Sequence, residues 1–184
     1  MSTTSQPTDR KHKFTTTDYR GATIEDLDLP PAISINPSTS IKDAIQIGFE
    51  YDFTYLPIIH EINKKLLGIL NLDEINNNTS INPNDKVLKY MFWFSKTTQK
   101  KYEQSLKSNS STNSNTALKS TIIKPNTGKR YTVLTPFSPL EDLANFFNRE
   151  NNYFAIITND NGNFVYGVIT VDDLIKYEKR RFKL

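Results

Sequence analysis

Two ten-residue stretches decide how this chain folds: LLGILNLDEI (residues 66–75) and VYGVITVDDL (residues 165–174). Each runs through apolar residues around a glycine, reaches Asn71 or Thr170, and then places two acids after one more apolar residue. The apolar run reads as a buried strand, and the acids as the first turn of a helix whose N-cap is Asn71 or Thr170. The stretches lie 99 residues apart, and the same shift aligns the chain without a gap from Ile35 on Leu134 to Ile75 on Leu174. Pro37 falls on Pro136, Ile41 on Leu140, Ile58 on Ile157, Gly68 on Gly167 and Asp73 on Asp172. Self-similarity at a fixed shift is the mark of an internal repeat.

Working outward, each copy shows the same order of elements. A short apolar strand (AISI, 32–35; YTVL, 131–134) meets a Pro-containing turn with Ser38–Ser40 or Ser138. An amphipathic helix follows over Ile41–Phe49 or Leu140–Asn148, with apolar residues at helical spacing. Then come a strand (YLPII; YFAIIT), a turn (NKK; NDNGN), the second strand and the short helix. NDNG between two β-rich runs is a hairpin signal, because Asn and Gly tolerate positive φ. The fold class expected is α+β: two tandem β-α-β-β-α units packed with pseudo-two-fold symmetry, since one unit alone leaves too much apolar surface open.

Charge divides the chain further. Of 184 residues, 23 are Lys or Arg and 20 Asp or Glu, a net +3, but segments 1–20, 96–130 and 176–184 carry +2, +7 and +4. The remainder, which holds the apolar segments, is therefore at −10. A basic stripe on the folded surface, usual for nucleic-acid binding, is not expected there. The organisation expected is a disordered tail over 1–20, a first repeat with its connecting segment over 21–95, a flexible basic Ser/Asn-rich loop over 96–121, a second repeat over 122–178 and a basic tail over 179–184. The cluster DKVLKYMFWF (85–94), with the one tryptophan, Trp93, reads as a connection packed on the repeats.

The chain lacks cysteine, and its two histidines, His12 and His60, are far apart, which removes disulfides, thiolate chemistry and a histidine-rich metal site. No phosphate-loop or G-x-G-x-x-G motif is formed by the six scattered glycines. His60 reads as a turn residue, and the adjacent acids 73–74 and 172–173 as helix caps rather than an acid–base pair. No catalysis, no metal and no required cofactor are expected. With no apolar run of membrane-spanning length and no signal-peptide core, the expectation is a soluble protein of the cytoplasm, with the nucleus as the alternative.

The element order, the YLPII strand with its inner proline and the Gly-apolar-apolar-Thr-x-x-Asp pattern of Gly167–Asp173 resemble the cystathionine-β-synthase (CBS) domain; two in tandem resemble a Bateman module. The resemblance covers about 31–95 and 122–178. It implies a regulatory pair that binds an adenosine-containing ligand (AMP, ADP, ATP or S-adenosylmethionine) between its repeats and passes occupancy to a partner in trans. It implies Thr170 beside the helix N-terminus as a phosphate contact, Asp172 as a further ligand-binding residue and Asp173 as acceptor for the ribose hydroxyls, while the same residues also suit a plain N-cap. The base would lie against Ala32, Ile33, Tyr55 and Leu56. Tyr153 and Phe154 stand where relatives often carry His or Arg, so a weakly charged ligand is favoured, with core packing the alternative for these two. In the first repeat Asn71 and Glu74 replace Thr and Asp, which predicts one working and one lapsed site. Rival readings are a ligand-free scaffold and a binder of nucleic acid or an acidic partner through the basic appendages, the latter disfavoured on charge. A homodimer through the helices and no membrane partner complete the expectations.

Overall fold

The computed structural model describes residues 12–15, 18–109, 121–122, 133–149, 152–161 and 164–181. In the first repeat, helix α1 (Ile41–Tyr51) leads to strands β1 (Tyr55–Ile59) and β2 (Leu66–Asn71) and helix α2 (Leu72–Asn77). A connection then forms β3 (Phe92–Trp93), α3 (Lys96–Asn109) and β4 (Thr121–Ile122). The second repeat contains α4 (Leu140–Asn148), β5 (Phe154–Thr158), β6 (Val165–Thr170) and α5 (Val171–Arg181). Among the described residues no helix is long and apolar enough to cross a membrane.

The repeat holds in the backbone, residue by residue. β1 and β2 pair antiparallel with Tyr55 opposite Asn71 and Ile58 opposite Gly68; β5 and β6 pair with Phe154 opposite Thr170 and Ile157 opposite Gly167. Both ladders slip at the same place, Ile58/Ile59 and Ile157/Thr158. The expected leading strands contract to single parallel bridges, Ile35 to Ile58 and Leu134 to Ile157. Tyr131 and Thr132 lie outside the described residues. The first hairpin loop closes on His60, whose Nδ1 accepts from the Ile62 and Asn63 N–H groups, and the second on Asn159, whose Oδ1 accepts from Phe164. Local acceptors of this kind replace the missing ladder bonds of a turn.

Three boundaries differ from expectation. Residues 1–20 are not all tail: Phe14 and Tyr19 are buried in the second repeat's core beside Leu143, Phe147 and Leu174. The Asn148 amide accepts from the Phe14 N–H and donates to its carbonyl, while Tyr19 donates through its N–H to Glu141 and through its hydroxyl to Glu178. Burial, reinforced by the Glu178 hydrogen bond and charge, pushes the Tyr19 phenol up, so it stays a donor. Polar composition concealed these two aromatic anchors.

Residues 21–27, expected in the first repeat, pack against the second. A 3-10 turn over Ile24–Leu27 lies on the Pro136–Ser138 turn, where Ile24 and Glu25 donate to the carbonyls of Ser138 and Pro136, and Leu140 donates to Ala22. The matching 3-10 turn, Val87–Lys89, docks on the first repeat: Val87 and Leu88 donate to Thr39 and Pro37, and Ile41 to Asp85. Each helix is thus closed by a segment outside the repeat alignment, which the 99-residue shift could not reveal.

Finally, the basic loop begins as helix. α3 buries Gln99 and Tyr102, and Tyr102 packs on Trp93 at 5.8 Å and donates to Glu61 at 2.6 Å. Trp93 is 1% exposed within the first core, in agreement with a packed connection. The low-complexity residues 110–120 and the tail residues 182–184 lie outside the described residues; Lys179–Arg181 close α5, where cations suit the helix dipole.

Candidate functional site

The two cores meet where β1 packs beside β6, and the aromatic residues that begin β1 and β5, Tyr55 and Phe154, lie ring to ring at 4.8 Å. These residues correspond under the repeat shift, so the contact sits on the pseudo-two-fold axis. To one side of it opens a cleft of about 420 Å³. Leu29, Pro30, Ala32 and Ile33 form one wall, and Tyr51–Tyr55 with Pro57 a second. Val168 and Thr170 of β6, with Asp172, Asp173 and Lys176 of α5, complete it.

Of the residues expected at a site, Ala32, Ile33, Tyr55, Thr170, Asp172 and Asp173 are brought together here. Three are not. Leu56 is fully buried, because successive strand residues face opposite ways and Tyr55 takes the outward position. Phe154 is spent on Tyr55, and Tyr153, half exposed, does not line the cleft. Lys176 and the segment Tyr51–Thr54 escaped sequence reasoning. Lys176 could have been found, since it is four residues beyond Asp172 on the same helical face. Asp52 could not: it enters through the left-handed C-cap of α1, at φ 56°, which no periodicity announces.

The helix N-terminus is organised differently from the expected phosphate contact. Thr170 donates its backbone N–H (2.8 Å) and its hydroxyl (3.0 Å) to Oδ2 of Asp173. The hydroxyl is therefore directed at a carboxylate rather than held out for an anion. What the arrangement does is fix the Asp173 side chain, which lines the cleft, through Oδ2. In the first repeat the side-chain donation runs the same way, but the capping residue also accepts. Asn71 accepts from the Asp73 N–H at 3.1 Å, and its amide donates to Glu74 at 3.4 Å. Nearby, burial first and then the Asp73 and Glu74 carboxylates push the Tyr55 phenol up, so Tyr55 stays protonated at the cleft wall.

The walls differ as well. Beside β2, β3 forms a ladder, with Trp93 opposite Gly68 and Phe92 opposite Ile69, and Phe94 donates to Leu67 at 3.1 Å. Beside β6, Ala32 donates to Tyr166, the counterpart of Leu67, also at 3.1 Å. The residues before Ala32 are Pro30 and Pro31, which have no N–H to continue a ladder. The difference shows at the paired glycines: a Cβ on Gly68 would run into the Phe92 carbonyl oxygen, whereas one on Gly167 would meet nothing within 4 Å among the described residues. Two prolines thus hold the chain off β6 at the side where Pro30 and Val168 line the cleft.

Comparison with known proteins agrees with this architecture. The CBS domain family matches residues 24–78 and 127–180. The chain is 29% identical over 162 residues to a cystathionine beta-synthase of Dictyostelium discoideum, covering 86% of this chain and 25% of that protein. It is 31% identical over 161 residues to a cystathionine beta-synthase of Saccharomyces cerevisiae, covering 86% and 28%. It therefore spans about a quarter of the length of these relatives. Among solved structures, a CBS domain pair in complex with 5′-methylthioadenosine and S-adenosyl-L-methionine superposes with a TM-score of 0.55 at 16% identity, over 87% of this chain and 98% of that one. AcuB of Vibrio cholerae superposes with a TM-score of 0.54 at 15% identity, over 89% and 94%. With both repeats matched in sequence and in fold, this chain belongs to the CBS domain family and is a tandem CBS pair.

Proposed function

We propose that this CBS pair is a non-catalytic regulatory module that binds an adenosine-containing ligand, of the AMP, ATP or S-adenosylmethionine class, in the Asp173 cleft and regulates a partner protein in trans. One observation carries the reading: the cleft gathers a fixed carboxylate, Asp173, and apolar walls from both repeats, Ala32, Ile33, Tyr55 and Val168, so a bound nucleoside touches both halves at once. Asp173 suits a ribose diol through two charge-assisted hydrogen bonds. The apolar walls suit a purine. A ligand bridging both halves biases their packing, which is how occupancy reaches a partner. The named relatives support a cystathionine-β-synthase-type enzyme as the kind of activity regulated. A second copy of the chain joins through the helices, where Phe49 of α1 is 91% exposed.

The test is a thermal-shift scan of AMP, ADP, ATP, adenosine and S-adenosylmethionine. A ligand at 100 times its Kd stabilises by about 2.7 kcal/mol, several degrees for a domain of this size. Selective stabilisation that Asp173→Ala abolishes supports the module; a flat response across the panel overturns ligand binding and leaves the scaffold.

A further inference from the structure

We propose that the ligand of this cleft carries positive charge and that Asp52 is the residue that selects it; this rests on the binding role proposed above and names the chemical class. The cleft is not neutral. Asp52 reaches it from the first repeat and Asp172 and Asp173 from the second, while among the described residues Lys176 is the one basic side chain lining it. Among the described residues, Asp52, Asp172 and Lys176 make no ion pair with one another or elsewhere. A ligand therefore meets a formal surplus of two negative charges.

The donors that would compensate a phosphate are already directed elsewhere. The Thr170 N–H and hydroxyl both point at Asp173, so among the described lining residues Lys176 is the basic side chain left to face a dianion or a polyphosphate. A sulfonium or ammonium group on the ligand, by contrast, gains from each carboxylate. The walls meanwhile make no demand on charge: Ala32, Ile33, Val168 and Pro57 offer a base only apolar contact. Selection thus falls on the group attached to the ribose, not on the purine.

Asp52 is the natural selector because its place on the backbone is independent of its charge. It caps α1 in the left-handed region, with its N–H donating to the Gly48 carbonyl. Asn tolerates that region as Asp does, so Asp52→Asn removes the charge and keeps the turn. Asp173 cannot serve for this test, since changing it also removes the ribose acceptor.

The experiment is calorimetric titration of the whole chain with S-adenosylmethionine, adenosine and AMP, which share the base and sugar and run from net positive through neutral to dianionic. The expected order of affinity is S-adenosylmethionine, then adenosine, then AMP, compressed by 0.5 M salt as screening shortens the reach of exposed charges. Removing one exposed charge shifts each charged ligand about threefold in opposite directions, so Asp52→Asn narrows the preference for S-adenosylmethionine over AMP about tenfold. Asp52→Lys narrows it further, with adenosine nearly unchanged in both variants and unaltered circular dichroism showing that the turn persists. If AMP binds wild type as tightly as S-adenosylmethionine does, or the preference survives Asp52→Asn, the charge selection is wrong while the binding role stands. If adenosine and both charged probes fail alike, the binding role falls and takes this proposal with it.

Discussion

The two repeats share a hairpin register down to the position of the bulge, yet they finish their sheets in opposite ways. The first lays a two-residue strand along β2 and covers Gly68; the second runs two prolines past β6 and leaves Gly167 open. The hairpin is set by which residues face inward, a matter of period, and both copies keep it. What lies against the outer edge is set by whether the neighbouring chain has N–H groups to give. A repeat can therefore be duplicated faithfully and still leave an open cleft on one side, beside two prolines outside the repeat itself.

The largest test of this difference concerns the arm that closes the second core. Tyr19→Ala removes an aromatic anchor that is 1% exposed, together with its hydrogen bond to Glu178, and is expected to cost about 3–5 kcal/mol. The two cores are separate clusters, and Trp93 lies in the first. Urea unfolding followed by circular dichroism should accordingly show the second repeat melting at lower urea, while Trp93 emission keeps its midpoint. Coincident loss by both probes would mean that the arm holds the two repeats as one cooperative unit.

The glycines give the sharpest contrast at a single atom. Gly68→Ala drives a methyl into the Phe92 backbone oxygen, which moves only if β3 moves, so about 3 kcal/mol is expected, the upper end of ordinary overpacking. Gly167→Ala fills open space and should change stability by under about 0.5 kcal/mol. Equal costs in thermal melts would show that the edge of β6 is covered after all. At the helix caps the effect moves from stability to binding. Asp173→Ala should weaken an adenosine ligand more than tenfold, for loss of a charge-assisted acceptor, whereas Glu74→Ala should leave it unchanged. Equal losses would restore a two-site arrangement.

How much of this was legible beforehand follows the same division. The strands YLPII and LLGILN announce themselves as short continuous apolar runs, buried on both faces, and the helix beginning at Leu140 by apolar residues at every third to fourth position. Thr170 and Asp173 were readable as a pair, since caps are local, but their hydrogen bonds to each other were not. Phe14 and Tyr19 were hidden among Thr, Asp and Lys. The contacts that bury them span more than 120 residues of chain, and no window along the sequence contains both partners. Asp52 was hidden because a left-handed cap is fixed by what the helix needs at its end, not by a repeating pattern.

The smallest expected effect tests the first repeat's own appendage. α3 is pinned to the first hairpin where the Tyr102 and Ser38 hydroxyls both donate to Oε1 of Glu61. Burial raises the Glu61 carboxyl, but these two hydrogen bonds, with a backbone N–H and nearby His60, outweigh it and hold it below the usual carboxylate range. A group whose folded pKa is depressed contributes stability above its unfolded value and loses it as the pH falls through the folded one. The pin therefore holds at pH 7 and loosens in the window beginning near pH 4.5 and running down. Glu61 is partly exposed, so the amount is under about 1 kcal/mol after screening. Trp93 reports it without a label, because Tyr102 packs on its ring. Its emission should shift across that window in wild type, and Glu61→Gln should remove the step while leaving the second repeat's cleft unaffected. A step that persists in Glu61→Gln would mean that acid acts elsewhere on the first core, and that α3 is held by the apolar contact of Tyr102 with Trp93 rather than by its hydroxyl.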